Sequence, residues 1–324
     1  MSFGGEHGVR ISLSAVVMAL RGRELAVLTT SGSDEIALPS GPFDPARDRT
    51  FELSLRAFVT DQTGFRPGFV EQLYTFGDAG RESPRPTPGP ERQREISVGY
   101  LALTRDAATA DAAEARWTPV FDIFPWEDRR GAAPSSVSDV IAPLRAWAGD
   151  DLRRRTRVET LFALCLDMRW NEERVLERYE LLYEAGVAPE AARDAGLAPA
   201  PTRARAQAGA EAGGGPGLVM ASDHRRILAT GLGRLRSKLK YRPVLFGLMA
   251  QTFTLSELQI AAEAVVGLAL HKQNFRRGVE RTGLVQATGR LSTGTGGRPA
   301  ELFRFTDADP LSGQAPGLAL PAQR

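Results

Sequence analysis

The chain has 324 residues, 42% of them hydrophobic, with 33 Gly, 21 Pro, three His and a single Cys. That length carries two or three domains with ordinary cores, while the lone Cys165 excludes an internal disulfide framework and, with so few His, a structural zinc site. The net charge of +2 conceals an asymmetry, because residues 222–306 hold fourteen Lys/Arg against five Asp/Glu; a basic C-terminal module on an acidic body points to a nucleic-acid partner.

Residues 1–8 are polar and glycine-rich, and serines break the apolar run Ile11–Leu20. Neither a secretory signal nor a membrane span is expected, and the protein is expected in the cytoplasm. Residues 9–20 and 24–30 read as strands joined by a short hairpin. Leu38 to Pro42 is rich in turn residues. Residues 50–62 read as a helix with Phe51, Leu55, Phe58 and Val59 on one face, ended by Gly64. Residues 69–76 and 95–103 read as strands, separated by a mobile Pro/Arg-rich loop from Ser83 to Arg94. Helices are expected over 137–147, 151–168 and 171–185. Residues 198–217 have almost no large apolar group and read as disordered.

A last domain begins with a basic helix over 223–239 and a short one over 242–249. Helix 254–266 starts at Thr254 with Glu257 three residues on, a capping box. Helix 271–281 and a Gly-rich hairpin from Val285 to Phe305 complete it, and a frayed tail follows Asp307.

The segment Phe253–Phe305 therefore spells helix, short turn, helix and β-ribbon, a winged helix-turn-helix. Phe275 and Val279, four residues apart, point inward. Lys272, Gln273, Asn274, Arg276, Arg277 and Arg281 are then left for DNA: Arg and Lys suit guanine edges, and Asn and Gln suit adenine edges. Arg290, Ser292, Thr293 and Arg298 of the wing offer cations and hydroxyls to phosphate or the minor groove.

At the other end, Leu38-Pro39-Ser40-Gly41, Asp44-Pro45 and a helix closing on Thr63-Gly64-Phe65 resemble a Nudix box. That box needs several carboxylates on one helix face to hold magnesium against a pyrophosphate. Counting back from Gly64 puts Ala57 and Phe58 at the Arg-Glu positions and Asp61 and Gln62 at the last two carboxylate positions. One carboxylate of three survives, so no catalytic residue, no metal site and no enzyme activity are expected. Val70 to Asp78, Gly80-Arg81 and Ile96 to Leu103 are similar to a narrower group, the Nudix-related transcriptional regulators of NAD metabolism of the NrtR and NadQ types. So are Asp223-His224, Leu235 to Leu239, Tyr241 to Val244, Phe253 to Gln259, Asn274 to Arg277 and Gly296 to Ala300.

The resemblance implies an α+β chain with an N-terminal Nudix-like α/β/α sandwich (9–125), a helical insert (126–197), a flexible linker (198–220), a winged-helix domain (221–306) and a tail (307–324). It implies a homodimeric repressor of NAD biosynthesis genes on a near-palindromic double-stranded operator. Its gate would be an effector nucleotide (NAD, ADP-ribose or ATP) with no cofactor required. Candidate effector residues are Phe76 or Tyr100 for stacking and Arg56, Arg81 or Arg94 for phosphate. The alternatives are an active Nudix pyrophosphohydrolase of ADP-ribose-like substrates fused to a DNA-binding domain, and a scaffold whose winged helix binds protein or RNA.

Overall fold

Alternation along the first strand decides how the main sheet is covered. The structure is a computed structural model that describes residues 8–31, 36–68, 70–78, 94–105, 115–131, 135–197, 216–292 and 299–306. In β1 (Val9–Arg21) Leu13, Ala15, Val17 and Ala19 enter one apolar cluster, whereas Val16 and Met18 enter another. Successive side chains of a strand point to opposite faces, so this sheet is buried on both.

β1 pairs antiparallel with β2 (Glu24–Ser31) through the Gly22-Arg23 turn and parallel with β6 (Arg94–Thr104). With β3 (Ile36–Ala37) and β5 (Val70–Phe76) the order is β3-β2-β1-β6-β5; β4 (Ser40–Pro42) joins β1 and β7 (Ala115–Pro119) joins β2. The short strands β3, β4 and β7 are absent from the sequence expectation, since two to five residues interrupted by Ser, Gly and Pro carry no readable alternation.

α1 (Phe51–Thr63) covers the first face. Thr50 caps it by accepting from the Leu53 amide at 3.2 Å, and Gly64 ends it at φ 70. Leu55 and Val59 are buried with Phe65 and Trp117, while Phe51 and Phe58 pack at the margin, as the helical spacing predicts. α7 (His224–Leu239) covers the opposite face. A Cβ at Gly231 would stand 3.0 Å from Val16 Cγ1, so the absence of a side chain is what lets this helix lie so close to β1.

Among the described residues between β7 and α7 lie α2 (Val120–Ile123), a 3-10 turn at Pro125–Glu127 and four further helices: α3 (Ser135–Ala148), α4 (Leu152–Phe162), α5 (Val175–Glu184) and α6 (Pro189–Asp194). The helix expected over 151–168 stops at Phe162, where Ala163 takes φ 51, and the next starts at 175 instead of 171. The linker expected to run to 220 is ordered at its end: Leu218, Val219 and Met220 are buried, the Leu218 amide donates to the Asp122 carbonyl at 2.8 Å, and Met220 bridges Ile36. The large apolar side chains of 218–220 give this end of the segment the burial that holds it in place. Residues 198–215, the expected loop up to 93 from residue 79 and the tail from 307 lie outside the described residues.

A 3-10 turn at Val244–Gly247 replaces the short helix expected at 242–249. β8 (Thr252–Phe253), α8 (Leu255–Val266), α9 (Lys272–Thr282), β9 (Val285–Leu291) and β10 (Glu301–Phe305) follow. The last three strands form a small sheet in the order β8-β10-β9. One apolar cluster runs from Val16 through Trp126, Tyr179 and Leu232 to Phe275, so the α7 face of the main sheet, the intervening helices and the C-terminal unit share a core. Each fully buried Leu, Val or Phe there contributes about 1.5–3 kcal/mol.

Candidate nucleic-acid interface and effector face

The C-terminal unit is built around α8 and α9. The Thr254 hydroxyl accepts from the Glu257 amide at 3.2 Å and the Glu257 carboxylate accepts from the Thr254 amide at 2.7 Å, the reciprocal capping box expected from the sequence. Gly267 ends α8 at φ 71 and a short turn leads into α9. Phe275, Gly278 and Val279 are buried against α8. Lys272, Gln273, Asn274, Arg277 and Arg281 are exposed and Arg276 is half-buried. Among the described residues no side chain caps the start of α9, and no acidic residue stands in its first turn, so its leading amides suit a phosphate. Arg290 on β9 is exposed and Ser292 is half-buried at the strand end, its amide donating to the Ala300 carbonyl at 2.7 Å. Thr293 and Arg298 lie outside the described residues.

The sequence reading missed Arg304. It is exposed on β10, donates to Gln286 Oε1 at 3.1 Å and adds a cation to the wing. Its alternation with the packed Phe303 and Phe305 was the available signal.

Much of the basic charge counted over 222–306 goes elsewhere. Arg225 and Arg236 of α7 are fully buried, the first 3.2 Å from Glu190 and the second 2.5 Å from Glu127. Lys238 pairs with Glu71, Arg226 with Glu180 at 2.7 Å, and Lys240 with Glu172 at 3.3 Å. The basic helix expected from charge is thus a buttress whose cations meet the acidic body. Arg234 and Lys240 also face solvent, and the remaining exposed cations among the described residues of 222–306 belong to α9 and the wing.

Residues 245–305 match the family model described as the NrtR DNA-binding winged helix domain. The chain carries an NrtR-type winged helix domain. A curated relative, the ADPR responsive transcriptional repressor NtrR of Acinetobacter baylyi, is 39% identical over 92 residues, 28% of this chain and 36% of the relative. The match thus spans about a third of that relative's length. Among solved structures, Shewanella oneidensis NrtR complexed with a 27mer DNA is 20% identical, covers 96% of this chain and 99% of its own, and has a TM-score of 0.54. A MutT/nudix family protein from Enterococcus faecalis is 15% identical over 94% of this chain and 89% of its own, with a TM-score of 0.50. At these identities the likeness is one of fold: a Nudix-like sandwich joined to the NrtR-type winged helix.

The candidate effector residues do not converge. Tyr100 lies on the α1 face of the sheet and Phe76 on the α7 face. Phe76 packs against Gly99 and beneath the Arg226 guanidinium, which stands 5.5 Å from its ring centre, so it is core between sheet and α7. The sequence does not tell the two faces apart, because the bulge between Gln72 and Thr75, which sets the parity of β5, has no sequence signature. Tyr100 is buried near Glu52; burial first, and then the Glu52 charge, push its phenol up. Arg56 on α1 is engaged by Glu52 at 2.7 Å and by the Pro67 carbonyl. The Arg94 guanidinium donates to the Gly77 carbonyl at 3.1 Å. Arg81 lies outside the described residues.

The box residues bind their own backbone. Gln62 Oε1 accepts from the Ser40 amide at 3.2 Å and Gln62 Nε2 donates to the Ser40 carbonyl at 2.7 Å. Phe58 lies across Gly41, where an added Cβ would stand 3.1 Å from its ring. Asp61 is exposed.

Proposed function

We propose that the chain is a DNA-binding transcriptional repressor of NAD biosynthesis genes, gated by ADP-ribose bound to the Nudix-like domain. The observation that carries this reading is the outward row Lys272, Gln273, Asn274, Arg276 and Arg277 on the second helix of an NrtR-type winged helix. Two such helices in a homodimer would read half-sites of a near-palindrome about one helical turn, or a multiple, apart. Arg281, Arg290, Ser292, Thr293, Arg298 and Arg304 would hold the flanking phosphates. The effector class follows from the relative described as ADPR responsive and, on this chain, from the α1 face with Tyr100 and Arg56; ADP-ribose is favoured over NAD and ATP on that ground.

The residues at the box do not fit a magnesium site. An aromatic ring occupies one expected ligand position, an amide engaged with Ser40 occupies another, and the remaining Asp61 supplies one oxygen donor group where a hard cation needs several. The domain therefore binds its nucleotide without hydrolysing it and needs no cofactor.

A fluorescence-anisotropy titration tests this reading. Duplexes from the promoters of NAD biosynthesis genes are titrated at fixed salt, with and without ADP-ribose, NAD and ATP, beside an assay for magnesium-dependent turnover of ADP-ribose. Sequence-specific binding shifted by ADP-ribose, with no turnover, is expected. Turnover without specific binding would establish the hydrolase instead, and tight but sequence-indifferent binding with a steep salt dependence would favour the scaffold.

A further inference from the structure

Glu127, at the end of the 3-10 turn that leaves the Nudix-like domain, is fully buried and grips two arginines. Its Oε1 accepts from Arg178 Nε at 2.5 Å and its Oε2 from Arg178 Nη2 at 2.9 Å. Arg178 belongs to α5. Arg236 of α7 adds a third bond to Oε2. Burial pushes the Glu127 carboxyl up, and the two guanidiniums outweigh it and hold the group below the usual carboxylate range.

Both arginines reach further. Arg236 Nε donates to the Val265 carbonyl at 2.8 Å, in the last turn of α8. Two residues on, the Gly267 carbonyl accepts from the Arg129 amide at 2.7 Å. The Arg129 and Arg178 guanidiniums both stack on Trp170, 4.2 and 3.8 Å from its ring centre. The cluster therefore touches the exit of the Nudix-like domain, the intervening helices, α7 and the turn that aims α9. Two cations share one carboxylate, and Arg236 Nη2 has no hydrogen-bond partner among the described residues although it is buried. Removing Arg178 would leave Glu127 Oε1 without its donor in the core, so the joint depends on the bidentate geometry of Arg178.

We propose that Glu127, Arg178 and Arg236 form a coupling clamp, in which Arg178 of the intervening helices sets how strongly nucleotide binding on the Nudix-like side changes the DNA affinity of α9. This rests on the repressor reading above. The far end of α7 supplies the matching contact, because His224 Nδ1 accepts from the amide of Leu38, beside the Ser40 that Gln62 holds. One rigid helix thus links the box loop to the helix-turn-helix turn. Coupling needs an element that both sites bias, and α7 with its clamp is that element.

The test compares wild type with Arg178→Met and Arg178→Lys in the full-length protein. Arg178→Met leaves Glu127 paired one-to-one with Arg236, and the Lys variant keeps the charge while losing the bidentate grip; if the Met variant fails to fold, the Lys variant carries the same comparison. Amide hydrogen exchange at residues 127–131 and 265–268, without ligands, is expected to speed up at least about tenfold. In anisotropy titrations both variants keep their separate affinities for duplex and for ADP-ribose. The ratio of duplex dissociation constants with and without ADP-ribose, about 5–150-fold in a typical coupled protein, collapses towards one. Unchanged exchange would overturn the clamp whether or not the protein binds DNA. Faster exchange with an unchanged ratio would overturn the coupling role. Absence of any nucleotide effect in wild type would instead bring down the repressor reading and this coupling with it, while the exchange data still report on the clamp.

Discussion

The imidazole of His224 accepts a hydrogen bond from the amide of Leu38 at 3.1 Å, joining the start of α7 to the strand-turn that precedes the box helix. Only a neutral imidazole can accept there. Burial first, and then the nearby Arg193 charge, depress its pKa to about 4. An unfolded chain protonates the same group near its ordinary 6.5. Below that value the unfolded state binds the extra proton, so stability falls as pH drops from about 6.5 to about 4 and levels off below. The steepest loss is about 1.4 kcal/mol per pH unit and the total about 3 kcal/mol. Urea denaturation at pH 7.0, 6.0 and 5.0 should show this slope in wild type. His224→Asn, whose amide oxygen can take the same bond without titrating, should lose it. Equal slopes in the two proteins would mean that His224 is not the group responsible.

Gly267 and Gly283 both sit at positive φ, 71 and 64, yet they meet different surroundings. A methyl at Gly267 would overlap the Glu127 carbonyl oxygen and press on Arg236 and Phe121, whereas one at Gly283 meets nothing within 4 Å among the described residues. Gly283→Ala should therefore cost only the left-handed backbone penalty, about 1–2 kcal/mol. Gly267→Ala adds a clash with backbone and should cost more than about 3 kcal/mol. Two urea midpoints decide it, and similar losses would mean that the turn can move away from Glu127.

These contrasts mark where the sequence stops being legible. Gly64 closes α1, and Thr254 with Glu257 opens α8, because caps are local chemistry written in adjacent residues. The inward pair Phe275 and Val279 is legible for the same reason, through helical spacing alone. Ala163 at φ 51 is not, since nothing about an alanine announces a left-handed helix end. Nor is the fate of Arg178, Arg225 and Arg236: a cation in an amphipathic helix reads as solvated, and only the fold shows Glu127 and Glu190 waiting in the core. Charge counted by segment therefore overstated the basic surface, although the reading of α9 itself did not depend on that count.

Gln62 occupies a position where a hydrolase box would carry a carboxylate, and here its amide grips Ser40 through both donor and acceptor. Gln62→Glu keeps the acceptor but sets a carboxylate oxygen against the Ser40 carbonyl at the former 2.7 Å contact. The loss should be about 1–3 kcal/mol, the cost of an unsatisfied polar contact. No magnesium-dependent turnover of ADP-ribose should appear, because Phe58 still covers Gly41. Thermal unfolding with chromatographic detection of AMP, the product of pyrophosphate cleavage, on the same preparation checks both halves. A variant that hydrolyses ADP-ribose would show that a single carboxylate restores the metal site.

Arg276 and Arg277 are adjacent on α9 but differ in setting, half-buried and exposed respectively. A half-buried guanidinium beside Phe275 has fewer conformations to lose, which suits it to a bidentate contact with a guanine edge. The exposed Arg277 suits a phosphate. Arg276→Ala should then cost about 1–3 kcal/mol on the specific duplex, with discrimination between matched and mismatched duplexes falling at one base pair. Arg277→Ala should weaken specific and random duplexes alike, and it should lower the slope of log K against log salt by about one. Arg304→Ala, on the wing, should behave like Arg277→Ala but more weakly, since Gln286 already takes one of its donors. None of the three should change the unfolding free energy in urea by more than about 0.5 kcal/mol, because no described acidic partner is lost. Anisotropy titrations at four salt concentrations on matched, singly mismatched and random duplexes separate the two behaviours. If Arg276→Ala weakens all duplexes equally, α9 contacts backbone through both arginines, and base reading must then fall to Lys272, Gln273 and Asn274 at its N-terminal end.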